Sequence, residues 1–427
     1  MSKKVIGKWV LIAAAMFSLN ACTSIDLNEP APVVDSVPAK PVRSAPPVVQ
    51  AAPEVAEVPA AESAAQSEPV EDNEATVAEA VSIPEVSAAQ PSVRIALLLP
   101  GRMLVQVSDA VRAGFMAAHA QQPDNIVINT IDTSDAPDDV LAGYQQAVQD
   151  NDIVVGPLTR SGAVAIAQQH AVVKPTIALT QLNAVGEPEI ATPANMLPIG
   201  LSLEDEARQI ADWTGKKGAS ALVVSTNAAW QRRTAGAFAI QWRSRGLEAD
   251  LLQLSLTDGY FDANGLLQLK KRLQTEKPSL LFVALDATQA AQLRAAVGNE
   301  VAMVGTSQLN PLTLESWAAA EPVTAMNGVR LVDIPWQLQP DHAAVMAYPR
   351  QSEGGEQRRN ADLERLYALG IDAYRVARNI AAQQTDFKLD GVTGNLDIHF
   401  GGGTPKFERA ELPAVYRDGK VQLLNAQ

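Results

Sequence analysis

Val93-Arg94-Ile95-Ala96-Leu97-Leu98-Leu99-Pro100 decides the fold. Its five consecutive apolar side chains, Ile95 to Leu99, show no alternation. A strand of that kind needs cover on both faces, as in a parallel sheet flanked by helices. Residues 107–121 follow, with Val107, Val111, Phe115 and Ala118 at helical spacing. The reading then alternates: a strand at 126–131, a helix at 138–148, a strand at 153–157, a helix at 163–170 and a strand at 176–179. This order predicts an α/β fold with a parallel sheet and helices on both faces.

The pattern restarts after residue 200. Ser202-Leu203-Glu204-Asp205 has the form of a capping box, with Asp in place of Glu, and opens a helix to residue 211. Strands are predicted at 221–224, 250–254, 280–285 and 301–304, with helices at 230–245, 266–273 and 289–296. Asn310-Pro311 reads as an N-cap followed by Pro at the first helical position. A strand at 329–334, a long amphipathic helix at 361–381 and an antiparallel meander at 392–424 complete the chain. Two successive parallel units predict two lobes.

The residues before 93 differ from this. Lys3, Lys4 and Lys8 precede an apolar run at 9–19, too short for a membrane span and suited to a signal-peptide core. Leu19-Asn20-Ala21-Cys22 resembles the bacterial lipobox, which implies cleavage before Cys22 and acylation of that residue. Cys22 is the one cysteine in 427 residues, so the mature chain would hold no other thiol. Several acyl chains give stable anchoring where one is marginal. Thr23 in place of Asp favours the outer membrane by analogy with enteric sorting. Residues 23–92 carry 11 Pro, 12 acidic and 2 basic residues and no aromatic. Such a composition predicts a disordered tether. Its reach is about 45 Å as a coil and about 220 Å as polyproline II.

Two resemblances extend this reading. The opening strand, Ile153 to Pro157 and the strand after Pro175 resemble type I periplasmic binding proteins, which implies two lobes joined by hinge crossings, each discontinuous in sequence. The expected division places 93–199 and 307–385 in lobe 1, and 200–306 and 386–427 in lobe 2. A closer resemblance is to the LppC/LpoA-type family of outer-membrane lipoproteins, activators of penicillin-binding proteins. It rests on Ile95-Ala96-Leu97-Leu98-Leu99-Pro100, Val154-Val155-Gly156-Pro157-Leu158 and Leu201-Ser202-Leu203-Glu204-Asp205-Glu206-Ala207-Arg208. Leu366-Tyr367-Ala368-Leu369-Gly370-Ile371-Asp372-Ala373-Tyr374 and Asp390-Gly391-Val392-Thr393-Gly394-Asn395-Leu396 carry it further. In the best-known members a helical, repeat-like domain precedes this one; here residues 23–92 occupy that place.

Charge and motifs narrow the function. The chain holds 34 Lys and Arg against 48 Asp and Glu, a net charge of -14, which argues against nucleic acid as a partner. There is no G-x-S-x-G elbow, no P-loop and no H-E-x-x-H pair, and the 4 histidines are scattered. No enzyme, metal site or cofactor is therefore expected. His119 and His170 read as cations near helix C-termini. In amino-acid-binding proteins of the resembled fold, the inter-lobe cleft holds the ligand. The resemblance puts Thr159, Ser161, Thr180, Trp230 and Gln308 at the corresponding positions. Thr159 or Ser161 reads equally well as a helix cap, Trp230 as packing, and Arg160 as a surface charge or an anion contact. Gln308 is neutral where an amino-group partner would be acidic, which counts against a standard amino-acid receptor. The family implies a non-catalytic regulator that binds and activates a class A penicillin-binding protein, a peptidoglycan synthase. The alternatives are a small-molecule binding lipoprotein of a transport or sensing system, and an envelope scaffold.

Overall fold

The computed structural model describes residues 92–169, 172–312, 321, 323–350 and 361–424. The signal peptide, Cys22, the tether and His170 lie outside the described residues, as does any helix after Pro311.

The first lobe is built on β1 (Val93–Leu99), α1 (Val105–Gln121), β2 (Ile126–Asp132), α2 (Pro137–Asp150), β3 (Ile153–Val155), α3 (Arg160–Gln168), β4 (Thr176–Ala178) and β5 (Met196–Pro198). The sheet order is β2-β1-β3-β4-β5, all parallel. Strand β1 explains its own sequence. Ile95, Leu97 and Leu99 enter one core with Val111 and Phe115 of α1. Ala96 and Leu98 enter another with Val140, Tyr144 and Ala163 of α2 and α3. All five are fully buried. Each large side chain among them stabilises the fold by roughly 1.5–3 kcal/mol.

The second lobe comprises α4 (Leu203–Thr214), β6 (Ser220–Ser225), α5 (Ala229–Ser244), β7 (Glu248–Gln253), β8 (Leu256–Thr257), β9 (Tyr260–Phe261), α6 (Ala263–Glu276), β10 (Leu280–Val283), α7 (Ala287–Val297), β11 (Met303–Gly305) and β12 (Arg330–Asp333). Strand β10 repeats the two-sided logic of β1. Leu281 and Val283 face the core under α6 and α7, while Leu280 and Phe282 face Phe238 and Trp242 of α5.

The chain then returns through α8 (Pro335–Leu338), α9 (Ala343–Met346) and α10 (Ala361–Ala381), followed by β13 (Asp386–Asp390), β14 (Asn395–His399), β15 (Lys406–Ala410), β16 (Leu412–Arg417) and β17 (Lys420–Leu423). Helix α10 has the bounds predicted for it, and its apolar face lies against α1 in the first core. The helices touch through Gly114 and Gly370. A Cβ on Gly370 would stand 2.1 Å from the Val111 carbonyl oxygen, and one on Gly114 would stand 1.9 Å from that of Tyr367. Each glycine admits the other helix's backbone.

The expected lobe boundaries need correction. Strand β12 pairs with β11 in the second sheet, although 307–385 had been expected in lobe 1. Strands β13-β14-β15 form a separate antiparallel sheet whose Val392, Leu396, Ile398 and Phe400 join the first core. Only β16 and β17 extend the second sheet, whose order is β17-β16-β12-β11-β10-β6-β7. The predicted meander is therefore two pieces, divided at Glu411. The physical reason is burial. The apolar face of β14 completes the core under α10, whereas Ala414 and Tyr416 of β16 complete the other lobe.

Candidate functional site

Three strands of chain pass between the lobes, after β5 near Gly200, after β12 at Ile334 and after β15 at Glu411. Each crossing carries buried charge. Beyond the first, Ser202 caps α4 by accepting from the Asp205 amide at 3.1 Å. One turn on, Glu206 is buried and accepts from the Ser307 amide at 2.7 Å and from its hydroxyl at 2.9 Å. Burial pushes the Glu206 carboxyl up to about 7, against the lowering effect of the Ser307 bonds and of Arg365.

At the second crossing, Asp333 closes β12 with no exposed surface. Arg365 of α10 donates to both its oxygens, Nε to Oδ1 at 3.0 Å and Nη2 to Oδ2 at 2.7 Å. Nη2 also reaches the carbonyls of Ser307 at 3.0 Å and Asn310 at 2.9 Å, and Nη1 reaches Asp362 at 3.0 Å. Asn310 donates its side-chain amide to Asp333 at 2.8 Å. Burial opposes the charge on Arg365, but Asp333 outweighs it and holds the guanidinium protonated.

The third crossing is tied to the first. Arg409 of β15 donates to the carbonyls of Ile199 at 2.7 Å and Gly200 at 2.9 Å, and to the Thr393 hydroxyl at 3.1 Å. Asp372 of α10, fully buried, accepts from the amides of Val392 at 3.2 Å and Thr393 at 2.8 Å and from the Thr393 hydroxyl at 2.7 Å. The segments 201–208, 366–374 and 390–396, which carry the family resemblance, thus build the joint.

Two adjoining cavities of about 210 Å³ each open at this junction. Leu201, Leu203, Ile334 and Leu366 wall one, beside Glu206 and Ser307. Asp286, Thr288, Asn310 and Pro311 wall the other. Gln308, Asp362 and Arg365 line both. Gln308 is thus placed at a cavity, where it donates to Asp362 at 3.3 Å. The acid that its own position lacks is supplied from α10.

Thr159, Ser161, Thr180 and Trp230 are not among the residues lining either cavity. Thr159 occupies the N-cap of α3, but its hydroxyl makes no cap bond. Ser161 is exposed and donates to the Asp135 carbonyl at 3.4 Å. The Thr180 backbone packs on Gly200, and Trp230 lies half-buried in the first turn of α5. Arg160 spends its guanidinium on the Leu182 carbonyl at 2.9 Å and on Glu187 at 2.7 Å. His119 lies in the last turn of α1 within 3.2 Å of the Ile126 carbonyl.

Glu206, Asp333, Arg365, Arg409 and Glu411 escaped the sequence reading. For Arg365 and Asp372 a signal existed. They stand seven apart on the apolar stripe of α10, where a charge needs a partner. Glu206, Asp333, Arg365 and Arg409 are engaged with one another and with backbone, which suits holding a geometry. Among the described residues, no group of three or more His, Cys, Asp or Glu side chains could hold a metal ion, and no helix is long and apolar enough to cross a membrane.

Known proteins share this architecture. A protein from Haemophilus influenzae described as the LpoA C-domain, a regulator of PBP1A, superposes with a TM-score of 0.61 at 23% identity, covering 78% of this chain and 100% of that one. A protein described as a "putative branched-chain amino acid ABC transporter" from Chromobacterium violaceum ATCC 12472 gives 0.59 at 33% identity, covering 76% of this chain and 100% of that one. In sequence, the penicillin-binding protein activator LpoA of Enterobacter sp. (strain 638) is 28% identical over 306 residues, 62% of this chain and 40% of that protein. LpoA of Glaesserella parasuis serovar 5 (strain SH0165) is 26% identical over 340 residues, 77% of this chain and 54% of that protein. The chain thus spans about half the length of the curated relatives it matches. The family described as "LppC putative lipoprotein" matches residues 78–409, which takes in the first two crossings and ends just before the third at Glu411, and the chain belongs to that family.

Proposed function

We propose that the protein is a non-catalytic lipoprotein, acylated at Cys22 and anchored in the outer membrane facing the periplasm, that binds and activates a class A penicillin-binding protein. The observation that carries this reading is the family match over residues 78–409, together with relatives described as penicillin-binding protein activators. The joint supports it. A regulator must favour one state of its partner, and only differential affinity for the two states does so. Lobes fixed by buried ion pairs present one surface and lose little entropy on binding. The Pro-rich segment 23–92 is the tether that carries the lobes toward a synthase in the inner membrane. The test is reconstitution of the full chain with a purified class A synthase and measurement of glycan polymerisation and cross-linking. A several-fold rate increase is expected; an unchanged rate with demonstrated binding overturns activation.

A second reading, a small-molecule binding lipoprotein of a transport or sensing system, is favoured by the 33% identity to the Chromobacterium violaceum protein over its whole length. Ligand present at 100 times Kd would stabilise the fold by about 2.7 kcal/mol. A thermal shift with branched-chain amino acids or cell-wall fragments, without synthase activation, would decide for this reading.

A further inference from the structure

A third and larger cavity, about 510 Å³, lies between α4 and the end of β15. Glu206 and Gln209 of α4 line it from the second lobe, Phe407, Arg409 and Glu411 from the third crossing, and Gln181 from the first lobe. Phe407 and Arg409 share a face of β15 because side chains alternate along a strand, and Glu411 follows just beyond the strand's end.

Glu411 carries an unmet side-chain acceptor on this wall. It is 93% buried by its 7% exposure, and among the described residues no hydrogen-bond partner reaches its Oε2. A buried acceptor left unpaired costs about 1–3 kcal/mol, more when charged. Its backbone is nonetheless held firmly. The Gln209 side chain donates to the Glu411 carbonyl at 2.8 Å and accepts from its amide at 3.0 Å. Arg409 acts on Glu411 through its charge, but its hydrogen bonds go to the Ile199 and Gly200 carbonyls and Thr393, and Arg208 pairs with Asp205. Glu206 adds a second buried carboxyl to the same wall.

We propose that this cavity binds a small organic ammonium, with the Glu411 carboxylate as its anchor. An N–H donor satisfies Oε2, and its positive charge adds to that of Arg409 in offsetting Glu411 and Glu206. The volume is that of a small-molecule site and far exceeds a bare ion. Burial and the adjacent Glu206 push Glu411 well above the usual carboxylate range, against the lowering effect of Arg409, and a bound cation would act in the same direction as Arg409, favouring loss of the proton. This site stands apart from synthase activation and does not depend on it.

The test is calorimetric titration of the full chain with ethanolamine, with a doubly capped tripeptide bearing one central lysine, and with N-acetylethanolamine as the neutral control. Binding of either ammonium probe, with none by the control, is expected. The better probe tells a free amine from a lysyl side chain. Repeating the titration across a range of pH in buffers of different ionisation enthalpy should reveal release of a proton at the acidic end. Glu411→Gln should weaken binding at least tenfold, or about 1.4 kcal/mol, while Glu408→Gln on the rim should not. If Glu411→Gln does not fold, the contrast between probe and control on the native chain decides. No ammonium binding, equal binding of the neutral control, undiminished binding by a folded Glu411→Gln chain, or displacement of the ammonium by equimolar Mg²⁺ would each overturn the proposal.

Discussion

The Arg365 guanidinium grips the Asp333 carboxylate through two parallel bonds, 3.0 and 2.7 Å, where β12 leaves the second lobe. One residue comes from the helix that completes the first lobe's core and the other from the second lobe's sheet. The pair therefore ties the helix that completes the first lobe's core to the second lobe's sheet. Removing one partner strands the other in the interior, which costs about 3–5 kcal/mol. Arg365→Met and Asp333→Asn should each lower the urea midpoint strongly. Combining them should cost clearly less than the sum, because neither charge is then left alone. A strictly additive double-mutant cycle would show that the pair does not couple the lobes.

The contact of α1 with α10 makes a different prediction. Gly370→Ala drives a methyl into the Val111 carbonyl, 2.1 Å from where its Cβ would stand. Backbone cannot yield as a flexible side chain does, and overpacking costs about 1–3 kcal/mol. Helix propensity would favour the alanine by about 1 kcal/mol, so a net loss tests packing against propensity. Chemical denaturation should show the destabilisation; a more stable variant would mean the helices separate freely.

Much of this architecture is legible in the sequence, and the exceptions have physical causes. Strand β1 and helix α10 announce themselves because burial on both faces, or on one helical stripe, leaves a local pattern. Strand β5 was missed because Met196–Pro198 is three residues long and ends in proline. The division of the tail at Glu411 was hidden for another reason. Both halves alternate alike, and only the cores they meet distinguish them. The joint itself was illegible because Arg365 owes its burial to a carboxylate 32 positions earlier. Gln308 was found through a resemblance, while the Asp362 beside it comes from another element.

Stability should depend on pH through Glu206. Its carboxyl titrates near 7 in the folded chain because burial disfavours the charge, against 4.5 for an ordinary glutamate. The folded state therefore binds the proton more tightly. Stability should be greatest below about pH 4.5 as far as this group is concerned, and should fall as pH rises toward 7, by an amount on the order of 3 kcal/mol. Above pH 7 the contribution is flat. Glu411, also pushed up by burial, acts in the same direction. Glu206→Gln should flatten the profile between pH 5 and 7, measured as the urea midpoint at each pH. An unchanged slope in that variant would place the proton elsewhere.

If residues 23–92 act as a tether, a prediction separates anchoring from activation. If acylated Cys22 holds the chain in the outer membrane, the reach of residues 23–92 sets how often the lobes meet a synthase across the periplasm. Halving the segment reduces its extended reach from about 220 to about 110 Å. Lipidated protein with the shortened segment should then lose engagement in cells, read as in-cell cross-linking to the synthase. The same chain without its lipid, mixed with synthase in solution, should activate as before, because nothing need be spanned. Cys22→Ser should abolish detergent-phase partitioning and, by releasing the chain, make engagement insensitive to tether length. Loss of activation in solution on shortening would instead assign part of the contact surface to residues 23–92, and unchanged engagement in cells would remove the spanning role altogether.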